Sequence, residues 1–415
     1  MKKKRKRGKV YNVSTIIMFV LPLIFSFFLP LNGTRVIAAL PGENVPMEAV
    51  VPAVERGVGD PFELEGWSQV ELYWHELEQE LGEYLPSWGI EDIWHRDGER
   101  FIPSLGELFN GLVRFLLREV LANIKLMGQL LMLAVAAALL KSLQGAFGSH
   151  EVARLTESVV FFVLLGIALG SFSLALQIGR DTVDNMANFM LALLPILLTL
   201  MASMGHVTSA ALFHPIIIVA VNLMASLVRN VFFPLILFAT ILYLLNHFSP
   251  EFKINRLASL LKDAGIWGLG LMLTIFVGIT GVQGVAGGIG DAVSLRTAKF
   301  MTGAVIPVVG KAMADAVETV LGYSLLLKNS VTLTGMIILT LIIVFPLLKL
   351  LALIVIFKFA GALVQPLGEN SLAEALDTMS SCLSLIFAAV ATVALAFFIG
   401  ITIIIGASNA VVMLR

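Results

Sequence analysis

From Ser158 to Ile178, and again from Val207 to Val228, the chain runs without a charged side chain for about 20 residues, the length an α-helix needs to cross the hydrocarbon core of a bilayer. Further apolar stretches run from Glu119 to Leu140, Met186 to Met204, Val231 to Phe248, Ala264 to Ile289, Val331 to Val364 and Leu383 to Ile405. Composition points the same way: of 415 residues 58% are hydrophobic and 14% charged, where soluble domains carry roughly a quarter charged. The expected fold class is therefore all-α: a polytopic helical membrane protein with a small extracytoplasmic helical region and an internal repeat.

The net charge of −1 hides an asymmetry, because seven of the 28 basic residues lie between Lys2 and Lys9 and sixteen of the 29 acidic ones between Glu43 and Glu107. Without a basic patch in the body of the chain, a nucleic-acid partner is not expected. The single cysteine, Cys382, excludes an internal disulfide, a CxxC redox site and a cysteine-rich metal site.

Residues 1–39 have the parts of a secretory signal: a basic start, an apolar run from Ile16 to Leu31, and the small-residue sequence Val36-Ile37-Ala38-Ala39. The alternatives are cleavage after Ala38 or Ala39, or retention as an anchor helix, and both leave Leu40 outside the cytoplasm. Residues 40–118 form an acidic region holding four of the five tryptophans. In it Trp67, Val70, Trp74, Leu77 and Leu81 make one apolar helical face, and Leu105, Leu108, Leu112 and Leu116 make another that leads without a break into the first span. Two spans are expected within residues 119–185. Lys141 and Arg154 bound the loop between them, and Lys253, Arg256 and Lys262 lie in a later connector, so both are expected in the cytoplasm.

An offset of 112 residues places Pro195 on Pro307, Met201-Ala202 on Met313-Ala314, Phe233-Pro234-Leu235 on Phe345-Pro346-Leu347 and Ser259-Leu260 on Ser371-Leu372. The expected halves are residues 186–293 and 298–405. Proline-broken segments at matching places in two halves point to a substrate path or to structural kinks. The second broken segment carries Lys311, Asp315 and Glu318, spaced four and three and so on one helical face. That face either lines a hydrated cavity or lies flat at the interface. Lys349 and Lys358, nine residues apart, point in opposite directions, and at least one is expected to snorkel to the surface. Gly278, Gly281, Gly284 and Gly287 form a ladder suited to close helix packing.

Motifs for chemistry fail on inspection. His75-Glu76 is followed by Gln79 where a zinc protease needs histidine, and Gly303 to Lys311 has the wrong spacing for a phosphate loop. Asp92, His95 and Asp97 read as a polar turn, and His206 and His214 as flanking another. No catalytic, cofactor or metal residue is expected.

Beside these readings stands a likeness. The signal peptide, Glu83-Tyr84-Leu85-Pro86, Ala192-Leu193-Leu194-Pro195 with Ser209-Ala210-Ala211, and Pro307-Val308-Val309-Gly310-Lys311 occur in this order. Ser324-Leu325-Leu326-Leu327-Lys328-Asn329, Pro346-Leu347-Leu348-Lys349 and Gln365-Pro366 follow them. In this combination the chain resembles the stage III sporulation protein AE family of endospore-forming bacteria. The resemblance implies a non-enzymatic, polytopic subunit of a channel or feeding apparatus between mother cell and engulfed forespore, related in part to secretion systems. It implies other subunits of that complex and the lipid bilayer as partners, a place in the mother-cell membrane around the forespore, and a role in late forespore gene expression. The residues expected to serve passage or assembly are Pro195, Pro307, Lys311, Asp315, Glu318, Lys328 and Lys349. The alternatives are a self-sufficient secondary transporter and a membrane enzyme.

Overall fold

A computed structural model describes residues 67–84, 105–147, 150–248, 254–305, 310–368 and 370–413. The chain divides into two units, 1–58 and 59–415, and the described residues all belong to the second. The signal sequence, Asp92, His95, Asp97 and Pro307 lie outside them.

The described residues are helical. They form α1 (Trp67–Leu81), α2 (Leu105–Ala122), α3 (Ile124–Phe147), α4 (His150–Ser203) and α5 (Val207–Leu227), which passes through a π-turn (Val228–Phe232) into α6 (Phe233–Phe248). There follow α7 (Asn255–Val305), α8 (Gly310–Val364) and, after a 3-10 turn at Gln365–Leu367, α9 (Asn370–Met413). Five helical segments, of 46, 40, 40, 41 and 38 residues, are long and apolar enough to cross a membrane, and a bent pair, Phe109–Ala122 with Ile124–Leu140, brings the number to six. The protein is a polytopic helical membrane protein.

Several stretches that read as separate spans are single helices. Ser158 to Ile178 and all of Met186 to Met204 but its last residue lie in α4, whose 54 residues include Pro195. At Pro234, where the ring of a straight helix would strike the carbonyl four residues earlier, the Phe233 N–H instead reaches the Val228 carbonyl and the ladder passes through a π-turn. Conversely, the helix expected to run unbroken into the first span bends by 43° between Ala122 and Ile124. Asn123 causes this: its side-chain amide donates to the Glu119 carbonyl at 2.9 Å, competing with the helix's own ladder.

Two glycines make the tight turns. Gly205 has φ 87° and Gly368 φ 83°, a left-handed conformation open to glycine at little cost. At the first turn the Gly205 N–H donates to the Ala202 carbonyl and the His206 N–H to that of Met201, closing the end of α4.

The antiparallel pair α8 and α9 is the centre of the bundle, with α4 packed on both; α7 packs on α9, α5 and α6, and α2 and α3 lie on α8. Hydroxyls inside this apolar bundle bond within their own helices: Thr182, Thr240, Thr280, Ser384, Thr392 and Thr402 each donate to the carbonyl four residues earlier.

Side-chain neighbours fix which residues share a level. Gly179 of α4 faces Phe233 and Ile386, Gly268 of α7 faces Phe232, and Gly400 of α9 faces Phe276 and Met190. Further along, Gly284 faces Phe213 and Ile403, and Gly287 meets Ser209. The long helices thus run side by side in register. At 1.5 Å per residue, segments of 38–46 residues are roughly 57–69 Å long, about twice the hydrocarbon core.

Candidate functional site

Polar side chains concentrate at two levels of this bundle. The first is about half-way along it. On α4, Arg180, Asp181 and Asp184 separate the two apolar stretches, and Asp184 accepts a 2.8 Å hydrogen bond from Arg229 of the π-turn. Each partner interrupts an apolar run with an opposite charge, and the pair is part-exposed, so it marks a hydrated level more than it stabilises the fold.

The acidic helix α1 meets the bundle at the same level. Tyr73 stands edge-on to Phe189 of α4 with ring centroids 5.4 Å apart. Leu81 packs with Phe115 of α2 and Phe345 of α8, and Phe345 and Phe115 are themselves edge to face at 4.8 Å. Such pairs contribute about 0.5–1.5 kcal/mol beyond the area they bury. Around this apolar contact Lys349 pairs with Glu80 at 3.4 Å and Arg118 with Glu83 at 2.9 Å, while the Arg118 guanidinium also meets the Tyr84 hydroxyl. Burial first, and Glu76 second, raise the pKa of the Tyr73 phenol above its ordinary value of 10.0, keeping it a neutral hydrogen-bonding group. Lys349 thus reaches the surface, as snorkelling requires, and Lys358 does so beside Asp377 at 3.4 Å.

The second level lies at the α4–α5 turn. Helix α5 starts without a side-chain cap of its own, since His206 at the capping position makes no such bond. Its first N–H groups would be orphaned. Asp291 of α7 supplies the missing acceptor: its carboxylate takes the Thr208 N–H at 2.8 Å and the Ser209 N–H at 3.2 Å. His206 Nδ1 stands 3.4 Å from the other oxygen, an ion-pair distance, and both side chains are buried, at 3% and 1% exposure. A carboxylate at a helix start is also favoured by the helix dipole.

Glycine makes this approach feasible. A Cβ on Gly287 would sit 2.5 Å from Ser209 Oγ and 2.9 Å from its Cα, and one on Gly290 would sit 2.8 Å from Thr208 Cγ2. Within the glycine ladder a Cβ on Gly284 would sit 3.1 Å from Ile403 Cγ2, whereas one on Gly278 or Gly281 would meet nothing within 4 Å.

Beyond this turn Lys328 of α8 is 1% exposed. Its ammonium donates to the Ile405 carbonyl of α9 at 3.3 Å, and Ser324, Thr332 and Thr334 of its own helix are buried too. A lysine enclosed this way in a membrane bundle is uncommon and by default a functional candidate. Lys311, Asp315 and Glu318 fall on the first turns of α8, so roughly 15–25 Å of helix rise separates them from Lys328. Pro195 stays within α4 and Pro346 within α8.

The sequence reading singled out Lys328 and Lys349; of its glycine ladder, Gly284 and Gly287 stand at close helix approaches while Gly278 and Gly281 do not. It did not single out Asp291, Asp184 or Arg229. The available signal was a lone charge within or beside an apolar run. His214, expected at a turn, lies two turns inside α5 on its exposed face. A shallow hollow at the start of α7, lined by Arg256, Ser259, Asp263 and Trp267, gathers no comparable set of buried polar groups. Among the described residues no three histidine, cysteine, aspartate or glutamate side chains converge to hold a metal ion.

The family described as stage III sporulation protein AE matches residues 96–408. Stage III sporulation protein AE of Bacillus subtilis (strain 168) is 40% identical over 346 residues, covering 83% of this chain and 86% of that protein. No solved structure matches the chain significantly. With an all-helical membrane bundle and a match of this extent, the chain belongs to the stage III sporulation protein AE family.

Proposed function

We propose that the protein is a non-enzymatic membrane subunit of a channel complex joining mother cell and forespore, needed for forespore development and late forespore gene expression. The observation that carries this reading is the family match across residues 96–408. The polar chemistry supports a structural part: Asp291 bonds to backbone N–H groups, Lys328 to a backbone carbonyl, and Asp184 to Arg229. These arrangements hold helices together. The partners are the other subunits of that complex and the surrounding lipid.

The charge pattern supports an orientation. Arg256 and Lys262 lie in the first turns of α7, just after α6 ends, and point that end of the bundle to the cytoplasm. In this orientation α1 lies on the extracytoplasmic side, in the space between the two membranes. A cysteine introduced at Ser87, with Cys382 replaced by alanine, should react with an impermeant thiol reagent on protoplasts. Reaction only after permeabilisation would refute this orientation.

The halves 186–293 and 298–405 are proposed as a parallel duplication. In both, a long helix leads from the far end to the cytoplasmic end and a second returns: α5–α6 then α7, and α8 then α9. Pro234 and Pro346 sit inside the first helix of each pair.

Purification of the tagged protein from sporulating cells tests the function. Companion membrane proteins made only during sporulation should come with it, and the protein expressed alone should move no small solute. Solute uptake by the lone chain would favour the self-sufficient transporter instead.

A further inference from the structure

Two sides of the bundle have opposite chemistry at one depth. Helix α7 packs on α9, α5 and α6, whereas α1 packs on α4 and α8. Side chains connect these two sides across the bundle: Tyr73 of α1 meets Phe189 of α4, and the next residue, Met190, faces Gly400 of α9 together with Phe276 of α7. At one end of this region Phe233 faces Gly179 of α4 while Phe232 faces Gly268 of α7. At the other, His206, just past the end of α4, reaches Asp291 of α7. Residues 177–203 of α4 and 264–291 of α7 therefore cover nearly the same depth.

On α7 this depth is apolar. Residues 264–290 hold no charge, and Trp267, Leu271, Ile275, Val282, Val285 and Ile289 are each half exposed or more. Thr274, the exposed hydroxyl among them, is bonded within the helix to the Gly270 carbonyl at 2.9 Å. At 1.5 Å per residue the stretch is roughly 40 Å long, enough for the hydrocarbon core. Water disfavours so long an apolar face, and lipid suits it. On α4 the same depth is polar. From 177 to 199 every exposed side chain except Pro195 is polar: Gln177, Arg180, Asp181, Asn185, Asn188 and Thr199. The part-exposed pair of Asp184 with Arg229 belongs to the same strip. Packed on this helix, α1 exposes Glu76, Glu78, Glu80 and Glu83. Lipid tails do not suit this side, because charges and amides there would lack partners. A protein neighbour fits poorly too, since interfaces are built round an apolar core depleted of charge, and the α4 strip has no exposed large apolar side chain. Water is the neighbour that remains.

We infer that the face of α4 from Gln177 to Thr199, with α1 beside it, is one wall of a water-filled passage at the depth where α7 borders lipid. In the orientation given above the passage opens to the extracytoplasmic side, so α1 stays in water continuous with the space between the membranes. Amides and charges of both signs suit hydrophilic solutes. This deepens the channel-subunit reading: it rests on that reading for what the passage serves, and on the bundle alone for where it runs.

Single cysteines test it in the full chain with Cys382→Ala, in membranes isolated from sporulating cells. Asn185→Cys and Asn188→Cys on α4 should react with a charged, membrane-impermeant maleimide at least about ten-fold faster than Ile275→Cys and Ile279→Cys on α7, because a thiol in water ionises to the reactive thiolate and one in hydrocarbon does not. The α7 cysteines should react with an apolar maleimide instead. Two sites on each face keep the comparison decisive when one variant fails to accumulate. Equal reaction of both faces with the charged reagent would put this depth outside the bilayer and overturn the inference. Protection of both faces would overturn it as well, since the α4 strip would then be covered by lipid or protein. The expected pattern in protein that brings no sporulation-specific membrane protein with it would uphold the wall while counting against the complex-subunit reading.

Discussion

Asp291→Ala should destabilise the protein by about 3–5 kcal/mol, because hydrogen bonds to a charged acceptor are worth roughly 1.5–3 kcal/mol each and buried donors left unpaired add their own penalty. The variant strands the Thr208 and Ser209 N–H groups at the start of α5, in a turn where His206 makes no side-chain cap bond of its own. It also removes the anion beside His206 and opens space next to Gly287 and Gly290, whose contacts hold α7 against the turn. Against a total stability of about 5–15 kcal/mol this is a large fraction, so accumulation in cells should fall as well. Asp291→Asn keeps one acceptor of nearly the same shape and loses the charge, so its cost should be smaller, about 1–2 kcal/mol. Thermal unfolding of the detergent-solubilised protein should rank wild type above the Asn variant and the Asn variant above the Ala variant. Equal stability of the two variants would mean that the acceptor geometry does not matter and that the capping account is wrong.

That site also shows where sequence reasoning stops. Apolar runs identify helices because lipid forces backbone groups to pair within a segment, and the apolar stretches of α4 to α9, though not the full helices, were legible on those terms. Periodicity also found the faces of α1 that bury Trp67, Val70, Trp74 and Leu81. What it cannot see is a contact between residues far apart in the chain. Asp291 caps a helix that begins 84 residues earlier, and Thr208 and Ser209, which resemble a local cap, are instead the donors. Helix continuity was hidden for a related reason. Pro195 and the charges from Arg180 to Asp184 look like boundaries, yet packing against α8 and α9 carries α4 through them. Lys328 was legible as a charge in an apolar setting, but its bond to Ile405 depends on α9 returning alongside α8.

The double variant Asp315→Asn with Glu318→Gln should impair forespore development while leaving protein level and partner recruitment intact, if the stripe Lys311, Asp315 and Glu318 lines the passage. The reasoning is energetic. A charge at the bilayer centre costs about 3 kcal/mol on insertion scales, so three on one helical face cannot all look into lipid. They face a hydrated cavity, one another, or the membrane surface. Their spacing of four and three on the first turns of α8 puts them on one side of that helix. The amide replacements remove negative charge but hardly change volume, so packing is kept while the field along a passage changes sign toward the remaining lysine. A passage built for charged or polar cargo is sensitive to that change, because low-dielectric walls concentrate the field of each group. A stripe at the interface is not, since water screens it, and there the double variant should sporulate normally. Failure to accumulate or to bring partners along would assign the stripe to assembly, and the passage reading would lose its main support in the sequence.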